Sequence, residues 1–295
     1  MMTSDSSATG DSSATSVRRY SPALDLHAHF LISAYVTKRD FGRRHKARAW
    51  FKPFASVTDL PRLVEGGMDG QVFTVYFPGR PLIRDNKGRH DRIIDRYFAM
   101  LLANGQDMRH CESPADYDAA RAEDTFAAIL AIEGGHCLDG DVDNVDHFHA
   151  RGVRIFQLSH FVPNEFADAT ESKKRPHGGL NDLGREVVKR LNARGMIVDV
   201  AHMTDAGIAK VAETCRGPFI SSHTGVRAHR DMERNLSDAS IDLIAKSGGL
   251  MGVILFPPYL KKKISGTTDD VVDHLAHIAE RVGTEHIAIG SDTDG

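Results

Sequence analysis

Eight short apolar runs, several rich in β-branched residues, recur along the chain with helix-like segments between them: residues 23–30, 70–77, 127–134, 153–160, 196–202, 218–223, 250–256 and 286–292. They are nearly continuous in hydrophobicity, as expected of parallel strands covered on both faces. Eight such strands alternating with helices predict a (β/α)8 barrel, an α/β TIM-like fold, and not an open sheet. At 295 residues the chain is long enough for one such barrel.

The segments between the runs carry helix signals. Asn181 and Asp182 open a helix over 183–194, in which Val187, Val188 and Leu191 share a face and Gly195 supplies the stop. Ser237 is the expected cap of 239–246, Thr204 of 205–214 and Thr268 of 271–282. The longer stretches 31–68 and 78–126 should hold helices plus loops near the mouth of a site. No internal repeat or linker divides the sequence: residues 1–20 read as a disordered tail and 21–295 as the barrel.

Composition removes several classes of function. A formal net charge of −3 gives no pull toward nucleic acid or anionic membranes. No apolar run approaches the roughly 18 residues of a membrane span, and no signal peptide is recognisable, so a cytoplasmic location is expected. Cys111, Cys137 and Cys215 are scattered and odd in number, which fits a reduced compartment and incidental thiols. The 173–175 and 261–263 basic runs read as solvated loops, as do His45, His90, His147 and His149; Trp50, Phe51 and Phe54 read as core cover or pocket wall.

Histidine, at 16, is the unusual count, and its placement is informative. The first strand ends in His27-Ala28-His29, the third in Glu133 shortly before His136, and the fourth at His160. The fifth ends at His202, the sixth at His223 and the eighth at Asp292. Six of eight strands thus deliver His, Glu or Asp at their C-terminal ends, the face on which barrel enzymes build active sites. Residues two apart on a strand point the same way, so His27 and His29 can both face the barrel axis. Imidazole nitrogen with carboxylate oxygen suits Zn²⁺ and related ions, and a metal removes the cost of burying such groups unpaired.

Several separate motifs then occur in order: 132–136 (IEGGH), 152–164 (GVRIFQLSHFVPN), 178–202 (GGLNDLGREVVKRLNARGMIVDVAH), 218–238 (PFISSHTGVRAHRDMERNLSD) and 286–295 (HIAIGSDTDG). In these the chain resembles the membrane (renal-type) dipeptidase family of metallopeptidases. The resemblance implies a binuclear zinc site in which Glu133 bridges two divalent ions, His27 and the residue at position 29 complete one, and His202 and His223 the other. It further implies that His160 and Arg234 hold the substrate and its tetrahedral intermediate, and that Asp292 is the catalytic acid/base. Two ions about 3.5–4 Å apart can share a hydroxide and polarise a scissile carbonyl. Arg234 suits a dipeptide's terminal carboxylate, and His160 a developing oxyanion. A small dipeptide is therefore the expected substrate, and a homodimer is a possible assembly.

Two departures accompany the resemblance. The family pattern on the first strand is His-x-Asp, whereas here it is His27-Ala28-His29. Replacing a carboxylate by a neutral imidazole makes the site more positive by one charge, so the first ion is expected to bind more weakly or to be a different metal. The sequence also stops at Gly295, just past the eighth strand, so relative to the family the barrel is expected to be C-terminally truncated, without its final helix. The alternatives are another small-amide or lactone hydrolase, and a catalytically silent barrel that binds a metabolite.

Overall fold

The computed structural model describes residues 23–45, 57–78 and 85–294; the N-terminal tail and Trp50, Phe51 and Phe54 lie outside the described residues. In chain order the elements begin β1 (Leu24–Ala28), α1 (Phe30–Thr37), α2 (Leu60–Glu65), β2 (Gly70–Val75), α3 (Asn86–Ala103), β3 (Met108–His110) and α4 (Pro114–Ala122). They continue β4 (Phe126–Glu133), α5 (Asn144–Ala150), β5 (Val153–Gln157), α6 (Asp182–Ala193), β6 (Ile197–Asp199), α7 (Asp205–Thr214) and β7 (Phe219–Thr224). The last are α8 (Asp238–Lys246), β8 (Met251–Val253), α9 (Pro257–Leu260), α10 (Thr268–Val282) and β9 (Ile287–Ile289).

Eight strands close into a parallel barrel in the order β1-β2-β4-β5-β6-β7-β8-β9, with β9 returning to β1 through Asp25↔Ile289. Each corresponds to one of the eight apolar runs. The ninth, β3, was not visible as a periodic run. It pairs with Phe126–Ala128 of β4, while β5 takes Leu130–Glu133 on the same edge. At eight residues, β4 is long enough to serve both.

Alternation along the strands splits the core in two. Phe73, Val75, Leu130, Ile132 and Phe219 face the helices in the main cluster. Their neighbours Val72, Ala131, Ile155 and Ile220 form a separate small cluster, one residue from each of four strands, that fills the barrel lumen. Two residues farther along, on the same face, come Glu133, Gln157 and Ser222, all fully buried. The lumen therefore turns from apolar to polar toward the C-terminal ends of the strands.

Helix caps explain where several elements start. Asn181, Thr204 and Ser237 each accept a backbone N–H from three residues on, as their positions predict. The last helix is capped by Thr267 and not Thr268, because Asp270 lies three residues after Thr267 and closes a reciprocal capping box.

Several expected surface residues are less solvated than their polarity implied. His90 is fully buried: it falls on the inner stripe of α3 with Ile93, Ile94, Tyr97 and Leu101, and its Nδ1 lies 2.8 Å from the Asn86 carbonyl. His147 is half-buried against Asp91 at 2.8 Å, and His45 and His149 are also half-buried. Lys261 is drawn in by an ion pair with Asp270, and Arg175 by one with Glu233 at 2.9 Å. No helix among the described residues is long and apolar enough to cross a membrane.

Candidate metal centre

The first strand supplies two rings by ending between them. His27 lies within β1, whereas His29 follows it at φ −104° and ψ 19°, as the residue before α1. This bend brings the two Nε2 atoms to 3.1 Å. Asp25 anchors the strand below: it accepts from the amide and hydroxyl of Ser291, at 2.8 and 2.5 Å, and from Gln71 Nε2 at 3.2 Å. The same tether sets the end of β9, so that the Asp292 amide donates to the His27 carbonyl at 2.9 Å.

The remaining groups arrive from strand ends around the rim. Glu133 closes β4, and the chain turns sharply at Gly134, where φ is +95° and a side chain would strike the His136 ring. His202 and Asp292 both sit in the left-handed region, at φ 64° and 54°. Such non-glycine conformations cost about 1–3 kcal/mol each and concentrate at functional sites. Thr170 offsets this at His202, its amide donating to the His202 carbonyl at 2.9 Å.

The structure brings all five expected ligands together. Around Glu133, Oε1 lies 3.7 Å from His27 Nε2, 3.4 Å from His202 Nε2 and 3.6 Å from His223 Nε2. Glu133 Oε2 lies 3.2 Å from His29 Nε2, and no hydrogen bond satisfies it among the described residues. His202 and His223 present their Nε2 atoms 3.1 Å apart, matching the His27–His29 pair. Two nitrogens on one tetrahedral ion, at bond lengths of about 2.0–2.1 Å, would be roughly 3.3 Å apart. Each ring pair therefore has the spacing that one such ion would require.

The other expected residues divide. His160 Nε2 lies 3.6 Å from Glu133 Oε1, its ring against Tyr76 and Phe161. Asp292 Oδ1 lies 3.1 Å from His29 Nε2 and 3.9 Å from His27 Nε2. Both line a cavity of about 390 Å³ with His29, Tyr76, Phe161 and Tyr259. Arg234 does not line it: the guanidinium packs over Tyr259 and donates to the His223 carbonyl at 2.8 Å. His136 points away from the centre, toward the Phe77 carbonyl at 2.7 Å. A larger groove, about 1040 Å³, lies among Arg185, Lys189, Ile197, Arg216 and Pro218, at the N-terminal ends of β6 and β7 and away from these groups.

Burial and charge set the protonation of the cluster. Burial pushes His27 down to about 4 and His160 down to about 3, in each case against the pull of Glu133. Burial also lowers His223. At His29 burial acts the same way, but Glu133 and Asp292 outweigh it and raise the ring to about 9. Burial raises Glu133, yet His160, His29 and His27 together hold it well below the ordinary carboxylate range.

Two groups at the site had no signal in the sequence. Glu171 follows a loop with no periodic pattern, yet its Oε1 lies 2.5 Å from His202 Nδ1 and 3.4 Å from Arg234 Nε. Asp294 reaches across to the Val57 amide and the Thr58 hydroxyl, at 2.6 and 2.5 Å.

The profile of the membrane dipeptidase family, peptidase family M19, matches residues 12–295. The chain belongs to that family. Among curated proteins it is 28% identical to Dipeptidase aclJ of Aspergillus oryzae, over 93% of this chain and 67% of that one. It is 29% identical to Dipeptidase verJ of Clonostachys rogersoniana, over 81% of this chain and 64% of the relative, and 30% identical to Dipeptidase tcpJ of Claviceps purpurea, over 83% and 60%. The chain thus spans about two thirds or less of those relatives. Among solved structures, dipeptidase AC, a metallopeptidase of family M19, superposes with a TM-score of 0.83 at 24% identity, covering 93% of this chain and 85% of that one. A Rhodobacter sphaeroides metallopeptidase, solved with a phosphinate mimic of the dipeptide L-Ala-D-Ala, also gives 0.83, at 23% identity over 93% and 86%. Both share the barrel of this M19 family member.

Proposed function

We propose that this chain is a metal-dependent dipeptidase whose centre holds two divalent ions, zinc by donor type. The carrying observation is the pair of ring couples, His27 with His29 and His202 with His223, each with Nε2 atoms 3.1 Å apart about the shared carboxylate of Glu133. In this reading His27 and His29 would hold the first ion, His202 and His223 the second, and Glu133 would serve both. When bound, the ions supply a water-derived nucleophile near neutral pH and polarise the scissile carbonyl.

The chain's own groups do the rest. Asp292 Oδ1, at the cavity edge, takes a proton from the attacking water and returns it to the departing amine. His160 faces the same space from the far side of Glu133, where a ring N–H stabilises the oxyanion as the carbonyl becomes tetrahedral. Arg234 carries the fixed positive charge suited to the dipeptide carboxylate, acting from beneath Tyr259, with Glu171 sharing its charge. Tyr76, Phe161 and Tyr259 wall the cavity beside these groups.

Position 29 supports a second reading. An imidazole in place of the family's acid adds one positive charge, which favours other small amides or lactones if dipeptides are refused. A panel of small dipeptides, assayed with added Zn²⁺ and with chelator beside an Asp292→Asn variant, tests both readings. Turnover abolished by chelator and by the variant is expected. Activity indifferent to chelator overturns the metal reading, and turnover of amides or lactones alone shifts the substrate class.

A further inference from the structure

One buried hydroxyl touches a ligand ring on each side of the centre. Ser222, on the lumen face of β7, is 1% exposed, and its Oγ lies 3.2 Å from His27 Nδ1 and 2.9 Å from His223 Nδ1. Those rings stack with centroids 3.8 Å apart and a 31° tilt. Their other nitrogens, Nε2, face Glu133 at 3.7 and 3.6 Å.

Counting donors fixes the direction of every bond. A ring nitrogen that faces a cation must offer its lone pair, so the hydrogen of each neutral imidazole sits on Nδ1. Both Nδ1–H groups then donate to Ser222 Oγ, whose two lone pairs are filled. The single hydroxyl hydrogen must go elsewhere, and the carboxylate of Asp199, which already accepts from the Ser222 amide at 3.0 Å, is a neighbouring acceptor for it. Asp199 is itself held by the amides of Ala201 and Ser222, both at 3.0 Å. Were the hydroxyl hydrogen aimed at either ring, that ring would carry its own hydrogen on Nε2 and could not bind an ion. Thr74 Oγ1, the other hydroxyl beside His27 Nδ1, is farther away at 3.4 Å and is not beside His223.

We propose that Ser222, oriented by Asp199, is a positioning residue that fixes the tautomer of one ligand to each of the two ions, so that the affinity for both depends on it. The proposal rests on the two-ion reading above. It separates Ser222 from Glu171, which touches His202 alone among the ligands and so bears on one ion only.

The test is a zinc titration of the metal-free full chain against a chromophoric chelator, which resolves two dissociation constants. It is read beside ¹⁵N-histidine NMR of the zinc-loaded protein, which reports Nδ1 protonation. In wild type both His27 and His223 should carry hydrogen on Nδ1. Ser222→Ala should raise both constants, each by about 10–100-fold, the range found when an outer partner of a metal-bound histidine is lost. Glu171→Gln should raise one. A Ser222→Ala effect confined to one ion, or absent, overturns the proposal while leaving the metal reading intact. Wild-type protein that takes up no zinc overturns both. If thermal melting shows Ser222→Ala to be unfolded without metal, Asp199→Asn decides. That variant keeps the hydroxyl but turns an amide donor toward it, and both constants must again rise.

Discussion

His202 Nδ1 lies 2.5 Å from Glu171 Oε1, and the same oxygen is 3.4 Å from Arg234 Nε. One half-exposed carboxylate therefore orients a proposed metal ligand and neutralises part of the charge on the proposed substrate-binding arginine. Burial raises Glu171, but the His202 contact and Arg234 outweigh it and hold it down at about 2, so it stays ionised across the working range. Glu171→Gln should weaken one of the two ions by about 10–100-fold and raise KM more than it lowers kcat. Unchanged zinc affinity, measured by competition titration, would contradict this.

Asp292 is the group expected to move a proton, and its carboxylate faces His29. Asp292→Asn keeps the shape but cannot accept that proton. kcat should fall by about 10²–10⁴-fold with both ions retained. Steady-state rates beside elemental analysis check this, and loss of metal in step with activity would assign Asp292 to ligation instead.

His29 stands where the family carries an acid, close to both Glu133 and Asp292. His29→Asp should tighten the first ion, because a carboxylate offsets its charge and need not shed a proton to bind. A zinc titration in which the variant binds no more tightly than wild type would show that the imidazole costs the site nothing.

Away from the centre, Asp146 accepts from Arg190 and Arg194 in parallel, which holds its carboxyl well below the usual value of 3.8. A depressed acid stabilises the fold above its unfolded pKa, and that stability disappears as pH falls through the lower folded value. Wild type should therefore melt above Asp146→Asn at pH 7, and the gap should close as pH drops below about 4. A gap independent of pH, in paired thermal melts, would rule out the ion cluster as its source.

A side chain at Gly290 or Gly252 would run into the Ser222 carbonyl. Gly290→Ala should therefore destabilise by about 1–3 kcal/mol, because the β7–β8–β9 seam must open to admit a methyl. Denaturant unfolding reads this directly, and a neutral result would mean the seam is looser than its packing implies.

The barrel was legible because its strands are buried on both faces and therefore read as unbroken apolar runs. The candidate centre was legible because its histidines and carboxylates sit at or just past the ends of those runs. What escaped has local causes. Strand β3 is three residues borrowing an edge of β4, too short to carry a period. His90 is polar by type but occupies the apolar stripe of α3. Thr267 and Thr268 are adjacent candidates, and only the reciprocal contact with Asp270 decides between them. Glu171 comes from a loop whose path no spacing encodes, and Ser222 stands beside His223 as an ordinary strand serine until the barrel brings His27 alongside.

The tie between Asp25 and Ser291 spans 266 residues and fixes both the first-strand histidines and Asp292. Contacts this remote in sequence close a loop that takes in β2 to β9, so the pairing they support is the least local of the barrel's strand contacts. A chain emerging from the ribosome would hold His202, His223 and Glu133 well before Asp292 has been synthesised. Asp292 is therefore expected to join the His/Glu cluster only once β9 has paired with β1 and closed the barrel.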